Sequence, residues 1–329
     1  MINIAVIGAG RIGQIHAANL HRNEKANVSH VSDVIESAAT DLARRCNAAV
    51  AAVEAILADQ KVDAVVIASS TDTHADLIEQ AAAAGKAIFC EKPLDLDSGR
   101  AKKSLAVAQH HGVLLCLGFN RRHDPSFNKL KDEVLAGSVG EVEVVSITSR
   151  DPSPPPADYV GRSGGLFRDM MIHDLDIGRW LLGEEPNQVY ATGSVLADEA
   201  IGEAGDIDTA IAVLRTASGR LCQITNSRRC VYGYDQRIEV FGSHGMVRAD
   251  NQTTTQVEKA SAKGFESEPA LPFFLERYAD AYRIQLDRFL RAVAGEQLDI
   301  PNGQDGLRAL QLADAAQKSL ETGRPVQLD

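Results

Sequence analysis

Ile4-Ala5-Val6-Ile7-Gly8-Ala9-Gly10-Arg11-Ile12-Gly13 carries an apolar run straight into a GxGxxG turn, and Gln14 to Leu20 continues with helical character. A second apolar stretch closes on Asp33, twenty positions after Gly13. A strand, a glycine turn, a helix and an acid at this spacing together read as the opening half of a dinucleotide-binding fold. The first glycine of such a turn permits the tight bend, the second lets backbone approach a pyrophosphate, and the third lets helix pack on strand. The helix start then offers unpaired N–H groups and a positive dipole end to the phosphates. Asp33 is placed to accept hydrogen bonds from ribose hydroxyls and to repel a 2′-phosphate, so NAD is expected rather than NADP. The competing reading is a glycine-rich turn that holds no ligand.

Outward from this stretch, the first 120 or so residues alternate strand-like and helix-like segments. Val28–Ser32, Val62–Ala68, Ala87–Cys90 and Val113–Phe119 are short apolar runs suited to a buried parallel sheet. Ser37–Cys46, His74–Ala84 and Ser98–His111 are alanine-rich helical stretches between them, the last ending in His110 and His111, where imidazole charge suits the helix dipole. After about residue 124 the rhythm changes to longer alternating segments: Glu141–Ser149, Val189–Leu196, Asp206–Thr216, Arg220–Ser227 and Gln236–Phe241. Ala217-Ser218-Gly219 and Ser243-His244-Gly245 read as hairpin turns. Phe273–Ala294 and Gly306–Glu321 read as two helices packed back on the body. The fold expected is α/β: an N-terminal doubly wound parallel sheet of Rossmann type over 1–122, and a C-terminal α+β domain with an open, mainly antiparallel sheet over 123–329. The second sheet's other face must be wet or covered, and a second subunit is the expected cover.

The whole chain bounds the function. At 329 residues it exceeds what one core usually supports. Its net charge of −11 argues against nucleic acid or an anionic membrane as the main partner. No apolar run approaches the roughly 20 residues needed to span a bilayer, and nothing near Met1 resembles a signal peptide. Five cysteines, at 46, 90, 116, 222 and 230, form no CxxC pair and fit reduced thiols in a cytoplasmic protein. Cys90 reads as a small core residue.

Two constellations could carry chemistry. Glu91-Lys92-Pro93 follows the strand Ala87–Cys90, and the carboxyl ends of parallel strands face the ligand crevice, so Lys92 is expected to point into it. The alternative is a solvated surface lysine. The second constellation runs from Gly164-Gly165 through Asp169 and His173 to Leu182, with Gly183 as C-terminal cap. At 3.6 residues per turn Met171, Leu175, Gly178 and Leu182 share one stripe and pack on the sheet, while Asp169, His173, Asp176 and Trp180 lie opposite. A carboxylate one turn from an imidazole can raise its basicity and fix its orientation, as a general base requires. The alternative is an exposed helical ion pair. A zinc site lacks a third ligand of the right type nearby. Asp151-Pro-Ser-Pro-Pro-Pro156 is stiff and extended, either a surface connector or a lid.

The fingerprint, Glu91-Lys92-Pro93, Gly118-Phe119-Asn120-Arg121-Arg122 and the Asp169…His173 pair together resemble the Gfo/Idh/MocA oxidoreductases, over essentially the full length and in the same order. Gly164 to Asp176, Tyr232-Gly233-Tyr234-Asp235 and Pro272-Phe273-Phe274-Leu275-Glu276-Arg277-Tyr278 strengthen the likeness to members that act on inositol. The resemblance implies NAD held by Gly8, Gly10, Arg11, Ile12, Gly13, Asp33, Ser70, Thr71, His74, Glu91 and Lys92. It implies Lys92, Asp169 and His173 as catalytic residues, with Lys92 beside the reacting hydroxyl, His173 as base, and Asp169 binding substrate and orienting His173. Asn120, Arg122 and Tyr234 are implied as further substrate contacts, no metal is called for, and a cis peptide is implied before Pro93. The expected reaction is oxidation of a secondary hydroxyl of a cyclic polyol, foremost myo-inositol to 2-keto-myo-inositol (scyllo-inosose), by a homodimer or homotetramer joined through the C-terminal sheet. The proline-rich segment departs from the family's constant elements, which leaves another inositol or a pyranose open as substrate. A non-catalytic NAD-binding regulator would keep the glycines and Asp33 but could dispense with Lys92, Asp169 and His173. A relative that uses bound NAD to cleave glycosides would form no net NADH.

Overall fold

The structure, a computed structural model, describes residues 1–328. By internal packing the chain divides into two compact units, Met1–His123 with Asp280–Leu310, and Asp124–Ala279 with Gln311–Asp329. The segment 280–310, expected within the C-terminal stretch 123–329, packs with the first unit. The reason is a buried stripe: Leu286, Phe289, Leu290 and Ile300 join the same core as Ile4, Val6, Val66 and Phe89, and the Phe89 and Phe289 rings meet edge-on at 5.7 Å.

The first unit is built from β1 (Ile2–Ile7), α1 (Arg11–His21), β2 (Ala26–Ser32), α2 (Glu36–Cys46), β3 (Ala49–Val50), α3 (Val53–Ala58), β4 (Ala64–Ile67), α4 (His74–Ala83), β5 (Ala87–Cys90), α5 (Ser98–His110) and β6 (Leu115–Leu117). Its strands form one sheet in the order β3-β2-β1-β4-β5-β6, all parallel. The apolar runs at 62–68 and 113–119 overshoot their strands, by two residues at each end except after β4, where the excess is one. Those flanking residues are connections, which lie close to the sheet and so read as apolar too. The sheet order reverses between β1 and β4, the position at which doubly wound sheets open a crevice for ligands.

His123 closes the first stretch of this unit and is buried, and among the described residues neither ring nitrogen has a hydrogen-bond partner. Burial, then the charges of Arg288 and Arg122, push its imidazole down to about 3. An unfolded chain takes up this proton near about pH 6.5 while the folded chain does not, so stability is full above that pH and is lost as pH falls. We expect His123→Leu to lose less thermal stability than the wild type on going from about pH 7 to about pH 5. Parallel melting-temperature curves for the two proteins would contradict this.

The second unit follows with α6 (Pro125–Leu135), β7 (Val142–Arg150), α7 (Ala157–Ser163), α8 (Ile172–Leu182), β8 (Pro186–Ser194), α9 (Glu199–Glu203), β9 (Thr209–Thr216), β10 (Leu221–Ser227), β11 (Asp235–Gly242), β12 (Gly245–Ala249), an exposed hairpin β13 (Glu258–Ser261) and β14 (Gly264–Ser267), and α10 (Phe274–Arg277). Helices α11 (Ala279–Val293) and α12 (Gly303–Thr322) and strand β15 (Val326–Gln327) complete the chain. The large sheet runs β12-β11-β7-β10-β9-β8-β15, antiparallel except for the β7–β10 pair. The expected hairpins are present: 217–219 joins β9 to β10, and 243–244 joins β11 to β12.

The single helix expected over Phe273–Ala294 is instead two, broken at Tyr278. Tyr278 is buried in the second unit, with its hydroxyl 3.1 Å from Gln236 Oε1. Periodicity is followed faithfully in β9, where Ala210, Ala212, Leu214 and Thr216 are buried and Ile211, Val213 and Arg215 are exposed. On the open face Leu221 and Phe241 both lie opposite Val144, and Met246 lies opposite Phe241, so an apolar row crosses four strands.

Candidate active site

In the first unit the expected cofactor residues collect at the carboxyl ends of parallel strands. Gly8 follows β1, Asp33 follows β2, Ser69-Ser70-Thr71 follows β4, and Glu91-Lys92 follows β5. The glycine turn is enforced by sterics at two positions and open at one. Gly8 adopts φ +106°, and a Cβ there would lie 2.4 Å from Ala68 O. A Cβ on Gly13 would lie 1.9 Å from Gly8 O, whereas one on Gly10 would meet nothing within 4 Å. That open cradle at the N-cap of α1, with Arg11 and Ile12 as the first helical residues, fits a pyrophosphate.

Asp33 Oδ2 accepts from Ala9 N at 2.6 Å and Oδ1 accepts from Ile35 N at 2.8 Å. The acid is thereby locked against the glycine turn. A carboxylate has about four acceptor sites, so capacity for ribose hydroxyls remains.

The contrast between the glycines gives a sharp expectation. Gly10→Ala should fold with stability within about 1 kcal/mol of wild type, because Ala fits its extended backbone, yet lose NAD affinity. Gly13→Ala should lose roughly 1–3 kcal/mol or more by overpacking. Calorimetric NAD titration beside thermal melts separates them, and equal NAD affinity for Gly10→Ala and wild type would contradict the cradle.

His74 is not open to a ligand. It is buried, its Nδ1 lies 2.7 Å from Pro93 O, and its Nε2 lies 3.2 Å from Ser69 O. Burial pulls its imidazole below the usual histidine range, against the pull of both carbonyls and Glu91. A neutral ring donates once, and the shorter contact makes Nδ1 the donor. Ser70 is exposed and Thr71 is half-buried at the head of the same loop. Lys92 is half-buried, and the Lys92–Pro93 peptide is cis, as the resemblance implied. Asn120 and Arg122 lie in a short 3-10 turn after β6, both buried, and Arg122 pairs with Asp305 at 2.9 Å.

In the second unit, Asp169 and His173 lie where a π turn, Phe167–Met171, enters α8. Sequence periodicity treats 164–182 as one regular helix. The structure departs from it in the widened turn at 167–171 and just before it, where Gly164 and Gly165 are both left-handed, at φ +82° and +80°. Asp206, lying against Gly165, then accepts from Leu166 N at 3.1 Å. Such π turns widen a helix locally and are frequent at functional sites.

Asp169 is held by partners the sequence did not indicate. Tyr159 Oη donates to its Oδ1 at 3.0 Å, and Arg228 Nη1 lies 3.4 Å from its Oδ2. Arg228 is almost wholly buried and also faces Asp206 at 3.7 Å. Tyr159 lies on α7, directly after the proline-rich segment 151–156, so that segment delivers a contact to Asp169. Behind His173, buried Asp174 accepts from Asn226 Nδ2 at 2.9 Å, which ties α8 to β10.

The expected stripe of α8 is on the sheet. Met171, Leu175 and Leu182 are buried, and a Cβ on Gly178 would lie 2.9 Å from Cys222 Sγ. Gly183 closes the helix at φ +67°. The opposite face differs from expectation at Asp176, which is 1 % exposed rather than open. Helix α6 covers that side: Lys131 Nζ donates to Trp180 O and lies 5.4 Å from the Trp180 ring. Tyr234, an expected substrate contact, is buried with its ring edge-on to Tyr278 at 6.0 Å. All five cysteines are free and buried.

Comparison with known proteins bears on both units. Residues 2–119 match the NAD-binding Rossmann fold of an oxidoreductase family, and residues 131–328 match that family's C-terminal alpha/beta domain. The chain is 49% identical over 327 residues to an inositol 2-dehydrogenase of Rhizobium meliloti (strain 1021), covering 99% of each. It is 47% identical over 330 residues to a myo-inositol 2-dehydrogenase of Thermotoga maritima, covering 100% of this chain and 99% of the relative. Among solved structures it superposes with a TM-score of 0.92 on a scyllo-inositol dehydrogenase from Lactobacillus casei with bound NAD(H) and scyllo-inositol, at 30% identity and over 99% of this chain and 98% of that one. With both domain models matched in order and relatives near half identity along the whole length, the chain belongs to the Gfo/Idh/MocA oxidoreductase family.

Proposed function

We propose that the protein is an NAD-dependent dehydrogenase that oxidises the axial secondary hydroxyl of myo-inositol to 2-keto-myo-inositol. The observation that carries this reading is full-length similarity, at 47–49% identity, to inositol 2-dehydrogenases. The cradle at Gly10 and the placement of Asp33 support NAD as the cofactor.

The residues Gly8, Gly10, Arg11, Ile12 and Gly13 would hold the pyrophosphate, Asp33 the ribose hydroxyls, and Ser70, Thr71 and Lys92 the far half of the cofactor. The chemistry that NAD supplies when bound is uptake of a hydride from the carbinol carbon. Lys92 donates to the reacting oxygen and stabilises the negative charge that develops there. His173 takes the hydroxyl proton as general base. Asp169 accepts hydrogen bonds from substrate hydroxyls and orients His173. Its own oxygens are pre-set by Tyr159 and Arg228, so little reorganisation is needed when substrate arrives.

The subunits are proposed to associate as a dimer or tetramer through the open face of the second unit's sheet. The apolar row Met246, Phe241, Val144 and Leu221 supports this, since exposed patches of this kind mark association sites. Five buried free thiols support a reducing, cytoplasmic setting. Identification of the product by NMR after incubation with myo-inositol and NAD tests the reaction. A ketone at carbon 2 with one NADH formed per ketone is expected, and recovery of unchanged myo-inositol with no NADH would contradict the reading.

A further inference from the structure

The first unit buries two histidines on either side of the loop that carries Lys92. His16 lies within α1 and is fully buried, with Nε2 2.6 Å from Glu91 Oε1. A carboxylate oxygen accepts, so Nε2 is the donor and the tautomer is set. The ring is wedged edge-on against Phe89 at 5.1 Å and Tyr282 at 5.9 Å, which leaves it little freedom to turn.

Glu91 itself is 9 % exposed. Its second oxygen, Oε2, lies 3.3 Å from Lys92 N. On its remaining side stands Gly118, just past β6, where a Cβ would lie 2.7 Å from Oε2. The carboxylate is thus enclosed by α1, by its own loop and by a glycine that makes room for it. Beyond the lysine, His74 at the start of α4 holds Pro93 O at 2.7 Å. The residue before Lys92 is therefore pinned to the helix that follows the glycine turn. The residue after it is pinned to the helix that follows the Ser69–Thr73 loop.

A glutamate whose only function was to touch cofactor would have no need of a fully buried histidine partner. We propose that Glu91, held by His16, is a positioning residue that fixes the Lys92 backbone, and through it the ammonium group, relative to α1. The proposal rests on the reading above in that Lys92 is the group positioned. It assigns Glu91 to the alignment of the reaction, where the family resemblance alone places it on the cofactor. Misplacement of a reacting group by about 1 Å can cost roughly 10²-fold in rate, so such a brace has measurable consequences.

The test compares Glu91→Ala, Glu91→Gln and His16→Asn in the full chain, each checked for folding by circular dichroism. Four quantities are read: the NAD dissociation constant by calorimetry, kcat and KM for myo-inositol, and the NMR resonance of ¹³C-methylated Lys92, assigned with Lys92→Arg. We expect Glu91→Ala to lower kcat by about 10- to 100-fold with KM and NAD affinity held within about threefold. Glu91→Gln should recover most of kcat, because the amide keeps the shape, accepts from Lys92 N and donates to His16 Nε2 once the ring shifts its hydrogen to Nδ1. The Lys92 resonance should move in Glu91→Ala and return in Glu91→Gln.

If Glu91→Ala does not fold, His16→Asn, which leaves the carboxylate in place without its partner, carries the comparison. Loss of NAD affinity with kcat intact would make Glu91 a cofactor contact and overturn the proposal. So would an unmoved Lys92 resonance. If the wild type oxidises no inositol, the proposed reaction fails, and the resonance and NAD affinity still decide this assignment.

Discussion

Lys92→Ala is expected to lower kcat by about 10²–10³-fold, the size of effect seen when one preorganised donor is removed from a developing oxyanion. The loss should fall on kcat more than on KM, because the ammonium interacts more strongly with the negative oxygen of the transition state than with the neutral hydroxyl. Folding should be retained, since Lys92 is half-buried beyond the end of β5 rather than in the core. Lys92→Arg should not restore the rate. The guanidinium is planar and permanently charged, and cannot take the lysine's place in a loop pinned on both sides by His16 through Glu91 and by His74 through Pro93. Steady-state kinetics with parallel melts check this, and near wild-type turnover in Lys92→Ala would remove Lys92 from the mechanism.

His173→Ala is expected to cost about 10²–10⁴-fold in kcat, the usual contribution of a positioned general base. Wild-type activity should fall as the pH is lowered, because a base must be unprotonated to accept the hydroxyl proton. The variant should lose that acid limb and be partly rescued by added imidazole. The variant should also melt near the wild-type temperature, because the buried tie between Asp174 and Asn226 and the Met171–Leu182 stripe hold α8 without the imidazole. Retention of the acid limb in His173→Ala would assign the proton acceptor elsewhere.

Much of the first unit could be read from sequence because each of its features is local. A strand, a glycine turn and an acid are contiguous, and Gly8 and Gly13 are fixed by contacts a few ångströms away. The cap at Gly183 and the hairpins at 217–219 and 243–244 are local as well. What sequence reasoning missed is non-local. A helical stripe reports which face is buried but not against which body: α11 packs into the first unit's core although it lies in the stretch 131–328 that matches the family's C-terminal domain. Arg228 and Tyr159 reach Asp169 across 59 and 10 positions, and no spacing rule links one arginine of the pair Arg228-Arg229, just past a strand end, to a carboxylate at a helix start. The π turn is equally silent in a 3.6-residue reading, and it begins just past the left-handed pair Gly164-Gly165. His16 reads as an ordinary helical residue until Glu91, 75 positions on, is seen beside it.

The most direct measurement is NADH absorbance with purified protein, NAD and a panel of myo-, scyllo- and chiro-inositol, glucose, galactose and xylose, with NADP run alongside. Preference for myo-inositol with NAD is the predicted result. NAD binding without NADH formation from any of these polyols would contradict the proposed dehydrogenase and favour a regulatory or glycoside-cleaving protein.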